Sequence, residues 1–140
     1  MKYLLDTNII SEFISKNPNK HVVDYILTID ENNLFLSVVT IGEIKAGIEK
    51  LDAGSKKEKL LHWLEYDLLK RFQDRIVSIN IDTMLEWGKT NQRLKKLGTP
   101  LPIMDSLIGV TCKVENMVLI TRNEKDFKNM DIEIINPFQQ

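Results

Sequence analysis

The chain has one cysteine, Cys112, among its 140 residues. A single thiol closes no disulfide within the chain, so the fold must be held by its core, and the composition suits a reducing compartment. The surrounding "SLIGVTCKV" is an apolar helical stretch, which reads as a buried thiol and not a nucleophile. No apolar run approaches the roughly 20 residues of a membrane span. The N-terminus lacks the long apolar stretch and small-residue cleavage site of a signal peptide, so no membrane contact and a cytoplasmic location are expected. Charge of one sign is also missing: 19 Lys and Arg face 20 Asp and Glu, for a net −1. A dedicated duplex-DNA binder would be strongly basic. The two histidines, His21 and His62, stand apart, which disfavours zinc. Neither a P-loop nor a GxGxxG occurs, and there is no repeat or low-complexity segment.

What is present is ordinary globular composition, 43% hydrophobic and 28% charged. The length suits one domain over residues 1–140, able to bury about 70% of its unfolded surface. Two basic clusters, Lys50/Lys56/Lys57/Lys59 and Arg93/Lys95/Lys96, read as solvated helix faces. Strands are expected at 2–6, 34–38, 76–79, 117–121 and 132–135. Helices are expected at about 8–15, with Asn8 as cap, and at about 18–30, with Pro18 in its first turn. Others open at Thr40, at the capping box Ser55/Glu58, and at Asp82, the last stopping at Gly98. A further helix runs over about 103–115, and a short helical turn follows the fourth strand. Strands alternating with helices predict an α/β three-layer fold, with a central parallel sheet of about five strands. Ligands of such sheets bind outside the carboxyl ends of the strands, near a topological switch point.

Acids gather at those places. Asp6 ends the first strand in "YLLDTNIISEF", Glu43 follows "LFLSV", Asp105 follows "TPLP", and Asn123 and Asp126 follow "MVLIT". Each alone has a plain explanation, since acids are favoured at helix starts by up to about 1 kcal/mol. Together they do not. Two carboxylates 4 Å apart repel by roughly 4 kcal/mol at an effective dielectric near 20, so a shared rim of acids calls for a cation. Hard oxygen donors without His or Cys suit Mg²⁺ or Mn²⁺, which work on phosphates.

The motifs "LLDTNIISEF", "LFLSVVTIGEIKAGI", "PLPIMDSLIG" and "VLITRNEKDF" stand in the order of the PIN-domain nucleases, and the chain resembles the VapC toxins of toxin–antitoxin pairs. The resemblance implies a PIN-like fold and a Mg²⁺- or Mn²⁺-dependent endoribonuclease that leaves a 5′-phosphate and a 3′-hydroxyl. By position, Asp6 and Asp105 would be the main metal ligands, with Glu43 completing the set directly or through water. An aspartate is common where this chain has Asn123, so either Asn123 supplies a neutral oxygen or Asp126 is the fourth acid. Thr121 and Arg122 are candidate phosphate contacts. The implied partners are RNA, a VapB-like antitoxin and a second copy of the chain. The apolar helical segment 56–72, with Leu60, Leu61, Trp63, Leu64, Leu68, Leu69 and Phe72, is the expected surface for the antitoxin and the second copy. Two rivals remain: a non-catalytic PIN-like binding subunit, and a haloacid-dehalogenase-like phosphatase, in which Asn8 could not serve as the required general acid.

Overall fold

A computed structural model describes residues 1–139. Five strands form one parallel sheet: β1 (Tyr3–Leu5), β2 (Leu34–Ser37), β3 (Ile76–Val77), β4 (Val118–Ile120) and β5 (Ile134–Ile135), in the order β3-β2-β1-β4-β5. β1 lies at the centre, with Tyr3 opposite both Leu34 and Val118. The expected α/β architecture is therefore observed. The pleat sends successive residues to opposite faces. Leu5, Leu36 and Ile120 join one core, which packs under α1 (Thr7–Phe13), α2 (Lys20–Leu27) and α3 (Val38–Glu49). Leu4, Phe35 and Leu119 join the other, under α6 (Ile81–Lys96), α7 (Ile103–Glu115) and α8 (Glu124–Phe127). Burial on both faces is why the strands read as unbroken apolar runs. Cys112 is buried in the second core, and burial pushes its thiol well above the usual range, as an inert thiol requires.

Several helix starts differ from expectation. Asp6 itself caps α1, accepting from Thr7 N at 2.7 Å, and Asn8 lies inside the helix. α2 begins only at Lys20, capped by Asn19, and leaves Pro18 outside. Ser37, not Thr40, caps α3, so Glu43 sits in its second turn. Ser55 opens α4 (Ser55–His62) without a side-chain cap, because Gly54 occupies the cap position. Asn80 forms a capping box with Thr83 in place of Asp82. Except at α4, the capping side chain is the polar residue nearest the point where the backbone leaves extended geometry. Gly98, at φ 74°, ends α6 as expected.

After α4 the helix widens into a π-turn, Trp63–Leu68, before α5 (Leu69–Arg71). Leu64, Leu68 and Phe72 from this stretch are buried in the chain's own first core, and Leu60, Leu61, Trp63 and Leu69 pack against it. The segment's apolar surplus is thus divided: Leu64, Leu68 and Phe72 are turned into the core, while Leu60 and Trp63 line an apolar groove beside α1 and α3.

Arg75 ties the edge of this layer together. Its Nη1 donates to the carbonyls of Glu31 and Leu34 at 2.6 and 2.7 Å, and its Nη2 to the Glu31 carboxylate and the Arg71 carbonyl. Lysine keeps the charge but cannot reproduce this fork. Arg75→Lys is expected to lose about 2 kcal/mol of stability, read from urea denaturation midpoints. A midpoint equal to the parent's would show the fork to be idle.

Candidate metal centre

The chain leaves the sheet at β3 on one edge and re-enters at β4, across β1. The switch point therefore lies between the carboxyl ends of β1 and β4, where a crevice is expected. Asp6 and Thr121 are the residues that follow those two ends. The backbone N–H of Asp6 donates to the Ile120 carbonyl at 3.0 Å, which continues the ladder one step past the strand.

Asp6 is 3% exposed. Its Oδ1 accepts from Thr7 N, and its Oδ2 accepts from the Thr121 hydroxyl at 2.7 Å and from Asn8 Nδ2 at 3.2 Å. Burial raises its pKa above the ordinary value, outweighing the hydrogen bonds from Thr121, Thr7 and Asn8 that pull it down. Thr121 in turn accepts from Asn123 N at 3.0 Å, which fixes the start of the loop after β4. Glu43 reaches the same cluster from α3: its Oε1 accepts from the Thr7 hydroxyl at 2.7 Å, with the Thr40 hydroxyl 3.5 Å from that of Thr7.

Asp105 sits in the first turn of α7. The neighbouring Ser106 hydroxyl donates to the Ile103 carbonyl and accepts from Trp87 Nε1 at 2.9 Å, which pins that turn to α6. The Asp105 carboxyl is pushed up to about 6, first by burial and then by the charges of Asp6, Glu43 and Asp126. The charges of the other three acids expected from sequence thus act on Asp105. Asp126 does so from the exposed side of α8. Asn123 is exposed at the start of α8 and makes no side-chain cap, and Arg122 is exposed beside it. Thr7, Asn8 and Thr40 were missed as site residues. The only signal for them was a run of polar residues at a strand-to-helix junction.

The donors are hard carboxylate oxygens. Every ion pair among the described residues lies elsewhere, on Glu31, Glu49 and Glu86, so no lysine or arginine neutralises the four acids. A hard divalent cation fits that set. The acids crowd without closing: among the described residues, no three His, Cys, Asp or Glu side chains stand as a finished cage.

Asp105 holds its proton more tightly folded, near pH 6, than at its ordinary value of 3.8. Its contribution to stability is full below the lower value and is lost as pH rises through the upper one. The metal-free protein should therefore lose stability across that window, with Asp6 acting in the same direction. Asp105→Asn should flatten the slope, as measured by thermal midpoints across pH in the presence of a chelator. An equally steep slope in that variant would place the titration elsewhere.

A family model for the PIN domain matches residues 3–133. Toxin FitB of Neisseria gonorrhoeae is 30% identical over 135 residues, covering 96% of this chain and 97% of FitB. Ribonuclease VapC1 of Haemophilus influenzae is 32% identical over 132 residues, covering 93% of this chain and 92% of VapC1. Among solved structures, the crystal structure of FitAcB from Neisseria gonorrhoeae superposes with a TM-score of 0.93 at 29% identity, over 99% of each chain. The matched span takes in Asp6, Glu43, Asp105 and Asp126 with four of the five strands, and the chain belongs to the PIN-domain family.

Proposed function

We propose that this chain is a Mg²⁺- or Mn²⁺-dependent endoribonuclease and the toxin of a toxin–antitoxin pair, acting on RNA in the cytoplasm. The observation that carries the reading is the acid cluster at the switch point of a parallel sheet, where buried Asp6 is held by Thr121 and Asn8 and Glu43 by Thr7, with the Asp105 carboxyl raised by burial and by the other acids. A toxin and a ribonuclease among the relatives support it. Asp6 and Asp105 would hold the ion, with Glu43 and Asp126 completing the acidic set. When bound, such an ion activates water and neutralises charge developing on the phosphate. The chain's own residues orient the ligands. Thr121 and Asn8 fix the Asp6 carboxylate, and Thr7 fixes Glu43. Below about pH 6 the proton on Asp105 competes with the ion.

The antitoxin would seat on a groove of about 380 Å³ between α1, α3 and α4. Ile10, Ile14, Ile44, Ile48, Leu60 and Trp63 give it apolar walls, and Thr7 and Glu43 close one end. A basic antitoxin side chain there would reach the acids with charge-assisted hydrogen bonds. Self-association would use a different face. Ile81, Met84 and Leu85 are 78%, 43% and 69% exposed on one side of α6, beyond what a solvated helix start needs.

Three measurements test this. Purified protein should cut total RNA only with Mg²⁺ or Mn²⁺, leaving 5′-phosphates, and Asp6→Asn or Asp105→Asn should lower the rate by orders of magnitude while the metal-free fold is kept. A folded Asp6→Asn variant that kept its toxicity would support the binding-subunit reading instead. Thr121→Val should weaken Mn²⁺ binding about 10- to 100-fold by freeing the Asp6 carboxylate. Unchanged affinity would make Thr121 merely structural. Leu85→Glu should turn a dimer into a monomer in sedimentation, and a parent that sediments as a monomer would remove the dimer.

A further inference from the structure

Arg122 follows β4 directly, and it differs from the chain's other arginines, Arg71, Arg75 and Arg93. Arg71 and Arg75 both fork onto Glu31, and Arg93 donates to the Asn129 carbonyl at 2.9 Å. Among the described residues the Arg122 guanidinium has neither an ion pair nor a hydrogen-bond acceptor. Yet the residue is not loose. Its N–H donates to Asn8 Oδ1 at 3.1 Å, and the same Asn8 amide donates to Asp6. Its carbonyl accepts from Asn136 Nδ2 at 3.2 Å, and Asn136 Oδ1 accepts from Phe138 N at 3.0 Å. The guanidinium then lies over the Phe138 ring, 4.3 Å from the centroid. That ring is half-buried against the core on the Leu5 side of the sheet.

Stacking uses the face of a guanidinium and leaves its N–H edge free, in the fork geometry that suits phosphate. Arg122 borders a hollow of about 220 Å³ that Asp126 also lines, and the charge of Asp126 reaches Asp105. Asp126 is thus common to the hollow and to the acids whose charge acts on Asp105. A polyanion approaching four carboxylates needs fixed positive charge beside the ion to set its register. We infer that Arg122 grips a backbone phosphate of the RNA flanking the cleaved bond, and that Phe138 is a positioning residue that holds the guanidinium for it. The inference rests on the ribonuclease reading and adds a substrate contact from the C-terminal turn (Pro137–Gln139).

The test uses the full chain, freed of antitoxin, and a short random-sequence single-stranded RNA, with Ca²⁺ replacing Mg²⁺ so that binding is read without cleavage. Arg122→Gln should weaken binding about tenfold, alike across sequences, and lower the salt slope by about 0.7. Its thermal midpoint and its Mn²⁺ affinity, read by paramagnetic resonance of the free ion, should stay at the parent's values. Arg122→Lys should recover only part of the loss. Phe138→Leu keeps the apolar packing and removes the ring. It should give a smaller loss of the same kind, with no further loss once Arg122 is already Gln. An unchanged salt slope in Arg122→Gln, or fully additive losses in the double variant, would overturn the inference. If the parent cuts no RNA with either metal, the ribonuclease reading fails and this one with it. If the parent cuts RNA and Arg122→Gln matches it in binding, only the role of Arg122 is lost.

Discussion

Taking a carboxylate out of water costs several kcal/mol unless its oxygens meet donors, and Asp6 imposes that condition on everything around it. The strand end, the first turn of α1 and the end of β4 each deliver one donor: Thr7 N, Asn8 Nδ2 and the Thr121 hydroxyl. All three are neutral. The charge is solvated by dipoles and never cancelled, so its field persists and reaches Asp105 on the far layer. A lysine in place of any of these donors would hold the carboxylate more firmly and would remove the attraction for a cation.

The four acids come from segments far apart in sequence and from both layers of helices. Glu43 belongs to the layer over Leu5; Asp105 and Asp126 belong to the layer over Leu4. α3 and α7 meet beyond the strands, with Val39 of α3 packed into the second core, so the site exists only when both cores are packed. The Trp87–Ser106 bond ties the turn that carries Asp105 to α6, and the Ser37 cap fixes the start of the helix that carries Glu43. Gathering like charge runs against stability locally.

The strands and the acids were legible in the sequence because each rests on a strong local signal. Strand cores are continuous apolar runs, and an acid at a strand end has few neighbours to explain it. Capping was less legible. Ser37 and Thr40, or Asn80 and Asp82, are equally good caps on paper, and the choice turns on where the backbone changes conformation, which tertiary packing decides. The roles of Thr7 and Thr121 were hidden for another reason: their acceptors lie 36 and 115 positions away. In segment 56–72 an excess of apolar residues tells how much surface is covered and not what covers it: Leu64, Leu68 and Phe72 turn into the core, and Leu60 and Trp63 line the groove. The exposed Ile81 and Leu85, unremarkable by composition, carry the larger uncovered surface.

The widened turn at Trp63–Leu68 has a consequence for how this region can change over generations. Leu64, Leu68 and Phe72 recur every fourth residue and are all buried on one side. An ordinary helix, at 3.6 residues per turn, would rotate such a series progressively off its face. The π-turn, with its extra residue per turn, absorbs that drift. It acts as a length adjuster: losing one residue there would swing whatever follows by about 100° relative to what precedes it. Either Trp63 would leave the groove or Phe72 would leave the core. Descendants of this chain should therefore vary freely in the identity of the outward residues Glu65, Tyr66 and Asp67, and hardly at all in the number of residues between Trp63 and Phe72.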